Sequence, residues 1–66
     1  MEYSKEELAE AKRQIDSTLH KLRETIKTLE AKENPQRYKS QLTLARRRVT
    51  AFEIASDLIQ ARLEEN

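Results

Sequence analysis

Lys32-Glu33-Asn34-Pro35 decides how this chain folds. Asn34 is a favoured N-cap residue, and Pro35 suits the first position of a helix, where its missing amide proton would have been unpaired anyway. The residue before a proline is pushed out of helical geometry. A helix that arrives at Lys32 therefore stops, and a second one starts at Pro35. The chain has no glycine and no other proline, so this is the one place where it can turn.

Working outward toward the N-terminus, apolar residues fall at Leu29, Ile26, Leu22, Leu19, Ile15 and Leu8. From Ile15 onward they are spaced alternately by four and three, the heptad rhythm of a helix that packs along one other helix. Lys12 takes the one seam position that is not apolar. Ser4 followed by Glu7 reads as a capping box, and Glu6, Glu7 and Glu10 put negative charge where the helix dipole favours it. Toward the C-terminus the rhythm repeats through Tyr38, Leu42, Ala45, Val49, Phe52, Ser56, Ile59 and Leu63. Beside that seam runs a second row, Leu44, Ala51, Ala55 and Leu58, and a face of this width implies contact with more than one helix. The fold class is all-α: an antiparallel two-helix hairpin, with helices at about 4–32 and 35–64, forming one domain over 1–66.

A tight turn centred near Asn34 sets Leu29 level with Tyr38, Ile26 with Leu42, Leu22 with Ala45, Leu19 with Val49, Ile15 with Phe52 and Leu8 with Ile59. The polar Lys12 then meets the polar Ser56. The same register brings like charges together on the flanks, Arg23 near Arg46 and Asp16 near Glu53, at a cost of a few tenths of a kcal/mol each.

Composition narrows the rest. A chain of 66 residues buries only about 60% of its unfolded surface, and small domains usually need a disulfide, a metal or a second chain to be stable. Cysteine is absent and His20 is the only histidine, which excludes disulfides, thiolate sites and multi-histidine metal sites within one chain. Glycine-rich phosphate loops are excluded as well. No cofactor, metal site or catalytic constellation is expected, and the chain reads as non-enzymatic. No apolar run approaches the roughly 20 residues of a membrane span, and no signal peptide is evident, so a cytoplasmic protein is expected.

The charges balance to +1 overall, but not locally. Residues 20–48 hold nine Lys/Arg and three Asp/Glu, a net of +6, and the two flanking segments hold four and nine, a net of −5. The hairpin is thus basic at its loop end and acidic at its open end. Two copies packed head to tail would set opposite ends together, pair Arg23 and Arg46 of one with Asp16 and Glu53 of the other, and cover the second apolar row. The leading expectation is a homodimer forming a four-helix bundle, with Leu44, Val49, Ala51, Phe52, Ala55, Leu58 and Ile59 at the interface. A foreign amphipathic helix lying in the Leu44–Leu58 row is the competing partner.

Arg46-Arg47-Arg48 invites a phosphate-binding reading, since each neutralised phosphate adds salt-sensitive affinity. Consecutive helical residues point about 100° apart, however, so the three arginines do not form one patch. The alternative function is a nucleic-acid-binding accessory protein that uses the loop end, with Arg37, Lys39 and Arg47 as contacts. His20 lies off the seam with no carboxylate or hydroxyl arranged about it for general-base chemistry.

Tyr3-Ser4-Lys5-Glu6-Glu7-Leu8 and Arg47-Arg48-Val49-Thr50-Ala51-Phe52-Glu53-Ile54-Ala55 resemble stretches of small, uncharacterised helical-hairpin proteins of Gram-positive bacteria and their mobile elements. The resemblance implies a bacterial cytoplasmic protein and brings no activity with it.

Overall fold

The computed structural model describes residues 2–65; Met1 and Asn66, the ends of the expected domain, lie outside the described residues. Two α-helices of 26 residues each, α1 (Lys5–Glu30) and α2 (Lys39–Glu64), pack against each other as a hairpin. Each is about 39 Å long at 1.5 Å per residue, and the molecule is a rod of 50 × 16 × 15 Å. Its radius of gyration is 15.0 Å, against about 11 Å for a compact chain of this length.

The start of α1 is built as its sequence predicts. The Ser4 hydroxyl accepts the Glu7 amide at 3.1 Å, and the Glu7 carboxylate accepts the Ser4 amide at 3.0 Å. Two otherwise unpaired donors at the helix start are satisfied by this reciprocal pair. Further along, Gln14 and Arg13 both donate to Glu10. These hydrogen bonds, Gln14's foremost, hold the Glu10 carboxyl below its usual pKa.

The connection is longer than a tight turn. Helix α1 ends at Glu30 with Ala31 as its C-cap, two residues before the expected Lys32. Pro35 does open a helical segment, but Pro35–Tyr38 is a single 3-10 turn, and α2 begins only at Lys39. Asn34 does not cap through its side chain; its carbonyl instead accepts the Arg37 amide at 3.1 Å. Tyr38, at the N-cap position of α2, makes no side-chain cap either. Helix α2 therefore starts on the carbonyls of the tighter turn, with the Lys39 amide bonded to Gln36.

Those extra residues shift the register. Asp16 meets Ser56 rather than Glu53, and Arg23 meets Glu53 rather than Arg46. Arg46 in turn meets Glu30. Each cross-helix partner lies further along than a turn at Asn34 sets it. Asp16 finds its partner three residues beyond the expected one, and Arg23 and Arg46 find theirs seven residues beyond. The seam residues themselves are those the heptads mark. Leu19, Leu42, Ala45 and Ser56 are buried, and Leu8, Lys12, Ile15, Leu22, Ile26, Leu29, Tyr38, Val49, Phe52, Ile59 and Leu63 are half-buried. Among the described residues no side chain is completely enclosed. A pair of helices has no interior; each seam residue is covered by one neighbour and stays open at its edges.

Candidate interaction surface

The outer face of α2 is the feature the hairpin leaves unused. Leu44, Ile54 and Leu58 are 50%, 55% and 66% exposed. Ala51 lies exposed between them. Each of the four follows a seam residue by two positions: Leu44 follows Leu42, Ala51 follows Val49, Ile54 follows Phe52, and Leu58 follows Ser56. Two residues are about 200° of helical rotation. Leu44, Ala51 and Leu58 also each precede a seam residue (Ala45, Phe52 and Ile59) by one position. Measured from the middle of the seam, the stripe therefore lies about 110–170° round α2, on its outer flank, with Ile54 furthest round.

Ala55 does not belong to that row. It is half-buried, turned toward the hairpin at the edge of the seam. Ile54 takes its place. Its spacing carries the signal, three residues after Ala51 and four before Leu58, the same alternation that marks the inner seam. Val49, Phe52 and Ile59, also expected at an interface, lie in the α1–α2 seam with only their edges open.

The flank charges find partners inside one chain. Arg23 lies 2.8 Å from Glu53, and Arg46 lies 2.5 Å from Glu30. Both pairs are about half exposed. The expected juxtapositions of Arg23 with Arg46 and of Asp16 with Glu53 do not form. These four residues thus supply no like-charge strain for a second copy to relieve.

A polar layer crosses the seam near the open end. Lys12 Nζ donates to Asp16 Oδ2 at 2.7 Å, and the buried Ser56 hydroxyl donates to Asp16 Oδ1, also at 2.7 Å. The sequence sets Lys12 opposite Ser56; in the structure Ser56 bonds Asp16 instead, one turn further along α1, and Lys12 reaches the other oxygen of the same carboxylate. The Lys12 bond, and then the Ser56 bond, hold the Asp16 carboxyl below its usual pKa. Each acceptor oxygen has one donor, so the serine is buried with its hydrogen bond made.

At the loop end, among the described residues, no carboxylate lies within 4.0 Å of Arg37, Lys39 or Arg47. All three are exposed. His20 is exposed as well. No three His, Cys, Asp or Glu side chains among the described residues come together in a way that would hold a metal ion. Among the described residues no helix is long and apolar enough to cross a membrane.

Fold and surface together define a two-helix hairpin with one outward apolar stripe and a charge-graded long axis. No family model matches the chain, and neither a curated protein nor a solved structure matches it.

Proposed function

We propose that this chain is a non-enzymatic protein-contact module that works as a homodimer of four helices in a bacterial cytoplasm. One observation carries the reading: the surface is too large for a chain that ends its folding alone. A compact monomer of 7.8 kDa exposes about 4,400 Å². This hairpin exposes 5468 Å². The excess of roughly 1,100 Å² per chain is above the ~800 Å² that each partner buries in a standard protein interface. The apolar stripe of α2 gives that excess a location. Isolated surface leucines are ordinary, but Ala51, Ile54 and Leu58 follow one another at helical spacing, with Leu44 in line beyond the exposed Arg47.

Sedimentation equilibrium at micromolar concentration tests the reading. A mass near twice 7.8 kDa is expected. A folded monomer that stays monomeric up to hundreds of micromolar sinks it.

The free charges at the loop end favour a second reading, contact with nucleic acid through Arg37, Lys39 and Arg47. That reading requires affinity for random duplex that falls steeply with salt. No binding at low salt removes it.

A further inference from the structure

We propose that α2 is the inner element of the dimer. It pairs antiparallel with α2 of a second copy through Leu44, Ala51, Ile54 and Leu58, with the two-fold axis at Ala51 and α1 left outside. The inference rests on the reading of the chain as a homodimer and specifies how the copies meet.

The direction of the stripe gives the layout. In a square four-helix bundle each helix contacts two neighbours at right angles, so the second apolar row would lie at the side of the seam. Here its residues lie about 110–170° round from the middle of the seam, well beyond a right angle. A second copy seated on it makes a layer in the order α1–α2–α2–α1.

Spacing within the stripe gives the axis. Helix α2 runs from Lys39 to Glu64, and Ala51 is at its middle. Leu44 and Leu58 stand seven residues to either side. An axis at Ala51 overlaps the two rods along their whole length and sets Leu44 of each copy level with Leu58 of the other. The smallest side chain of the stripe then falls at the point of closest approach with leucines at both ends. Arg47, at the stripe position between Leu44 and Ala51, is exposed and carries its charge to the rim on its long stem. Thr50, at the edge of this surface, donates its hydroxyl to the Arg46 carbonyl at 3.2 Å. It therefore brings no unpaired donor into a dry interface.

Charge gives the orientation. The half-rods carry net charges of +6 and −5. Antiparallel copies lay each basic half along an acidic one, whereas parallel copies would set like against like over the whole length. Of the ion pairs within each hairpin only Arg23–Glu53 joins the two halves, and setting it aside still leaves nets of +5 and −4. A foreign amphipathic helix on the same stripe would have to carry the charge gradient that a second copy already has.

Cysteine cross-linking tests the geometry, since the chain has no cysteine of its own. Leu44→Cys and Leu58→Cys proteins are made separately, mixed and oxidised. The antiparallel arrangement predicts that the mixed 44–58 disulfide dominates. Two copies of position 44 would lie about 20 Å apart along the axis, well beyond the ~7 Å Cα limit for a disulfide. Dominant 44–44 and 58–58 products mean a parallel pair. They overturn this inference while the dimer reading stands. A dimer by sedimentation that forms none of these cross-links places the contact elsewhere and also overturns it. A monomer at hundreds of micromolar ends both. As a second variant, Ile54→Glu alters a side chain that is 55% exposed. It is expected to shift the protein toward monomer, and a dimer it leaves unweakened refutes the assignment.

Discussion

Leu19 and Leu58 are the same residue type in opposite situations, and truncating each to alanine separates what holds the hairpin from what covers it. Leu19 is 4% exposed and Leu58 is 66% exposed. Leu19→Ala removes a buried side chain from the seam and should cost about 2–4 kcal/mol, in the lower part of the range for buried leucines because the seam can partly collapse. In an isolated hairpin Leu58→Ala has only a third of its surface to lose. Scaled from the 1.5–3 kcal/mol of complete burial, that is about 0.5–1 kcal/mol. In the dimer the remaining two thirds is covered as well, which adds about 1–2 kcal/mol per leucine. Each dimer contains two such leucines, so association weakens by about 2–4 kcal/mol, or roughly 30- to 1,000-fold in Kd.

Urea unfolding followed by far-ultraviolet circular dichroism, at about 5 and about 500 µM chain, reads both quantities, because a dimer that unfolds to monomers is stabilised by mass action. The native chain should show a midpoint that rises with concentration. Leu19→Ala should lower the midpoint at both concentrations. Leu58→Ala should lower it too, and sedimentation should show the dimer lost at the lower concentration. A native midpoint independent of concentration, with Leu58→Ala within about 0.5 kcal/mol of native, would refute the claim that anything covers the stripe.

Three further outcomes concern individual side chains. Ser4→Ala removes the acceptor for the Glu7 amide and should cost about 1 kcal/mol, visible as fraying of α1 in amide exchange. The Asp16 carboxyl is held below its usual pKa by Lys12 and Ser56, so its folded-state value lies below that of the unfolded chain. Its contribution to stability is complete at neutral pH, begins to fade near the ordinary aspartate value of about 4, and is lost as the pH falls through the folded value. Thermal melts from neutral to acid pH should show that slope, and Ser56→Ala should flatten it. The Arg23–Glu53 pair, about half exposed on both sides, should give a coupling of less than about 1 kcal/mol in a double-mutant cycle, shrinking further in molar salt.

Much of the fold is legible in the chain itself. Heptad spacing names which side chains enter a two-helix seam, because 3.6 residues per turn fixes the face that each residue presents. Every seam position from Leu8 to Leu63 is at least half-buried. The Ser4–Glu7 box is readable because both partners lie within one turn of each other. The connector is not. The sequence marks Pro35 as a start, but it does not say whether the first turn is α or 3-10, and each residue spent there moves the opposing helix along the seam. Side-chain bonds across the seam depend on that offset, so spacing alone does not pair Arg23 with Glu53 or Asp16 with Ser56. The outward stripe is legible in part. Leu44 and Leu58 stand out, whereas Ile54 and Ala55 are adjacent apolar residues, and only the 100° of helical rotation between them decides which one faces outward.

The flank charges take on a different meaning in the register the connector sets. With a tight turn at Asn34, Arg23 faces Arg46 and Asp16 faces Glu53. In the structure Arg23 pairs with Glu53 and Arg46 with Glu30, each seven residues beyond the partner that the tight turn sets. The seam alone discriminates weakly between the two alignments, since both match one row of aliphatic residues against another. The flanks do discriminate. Relieving two like-charge repulsions is worth a few tenths of a kcal/mol apiece, and each exposed ion pair that replaces them adds up to about 1, so the change amounts to about 1–2 kcal/mol. That is a factor of about 5 to 30 in population. The buried Ser56 adds to the bias, since its hydroxyl is satisfied by Asp16 and a slip would bury it without that partner. What looks from the sequence like repulsion awaiting a second copy is the device by which one copy rejects its own misaligned hairpin. The proposed self-association is then left to the one surface that carries no such instruction, the stripe on the outer flank of α2.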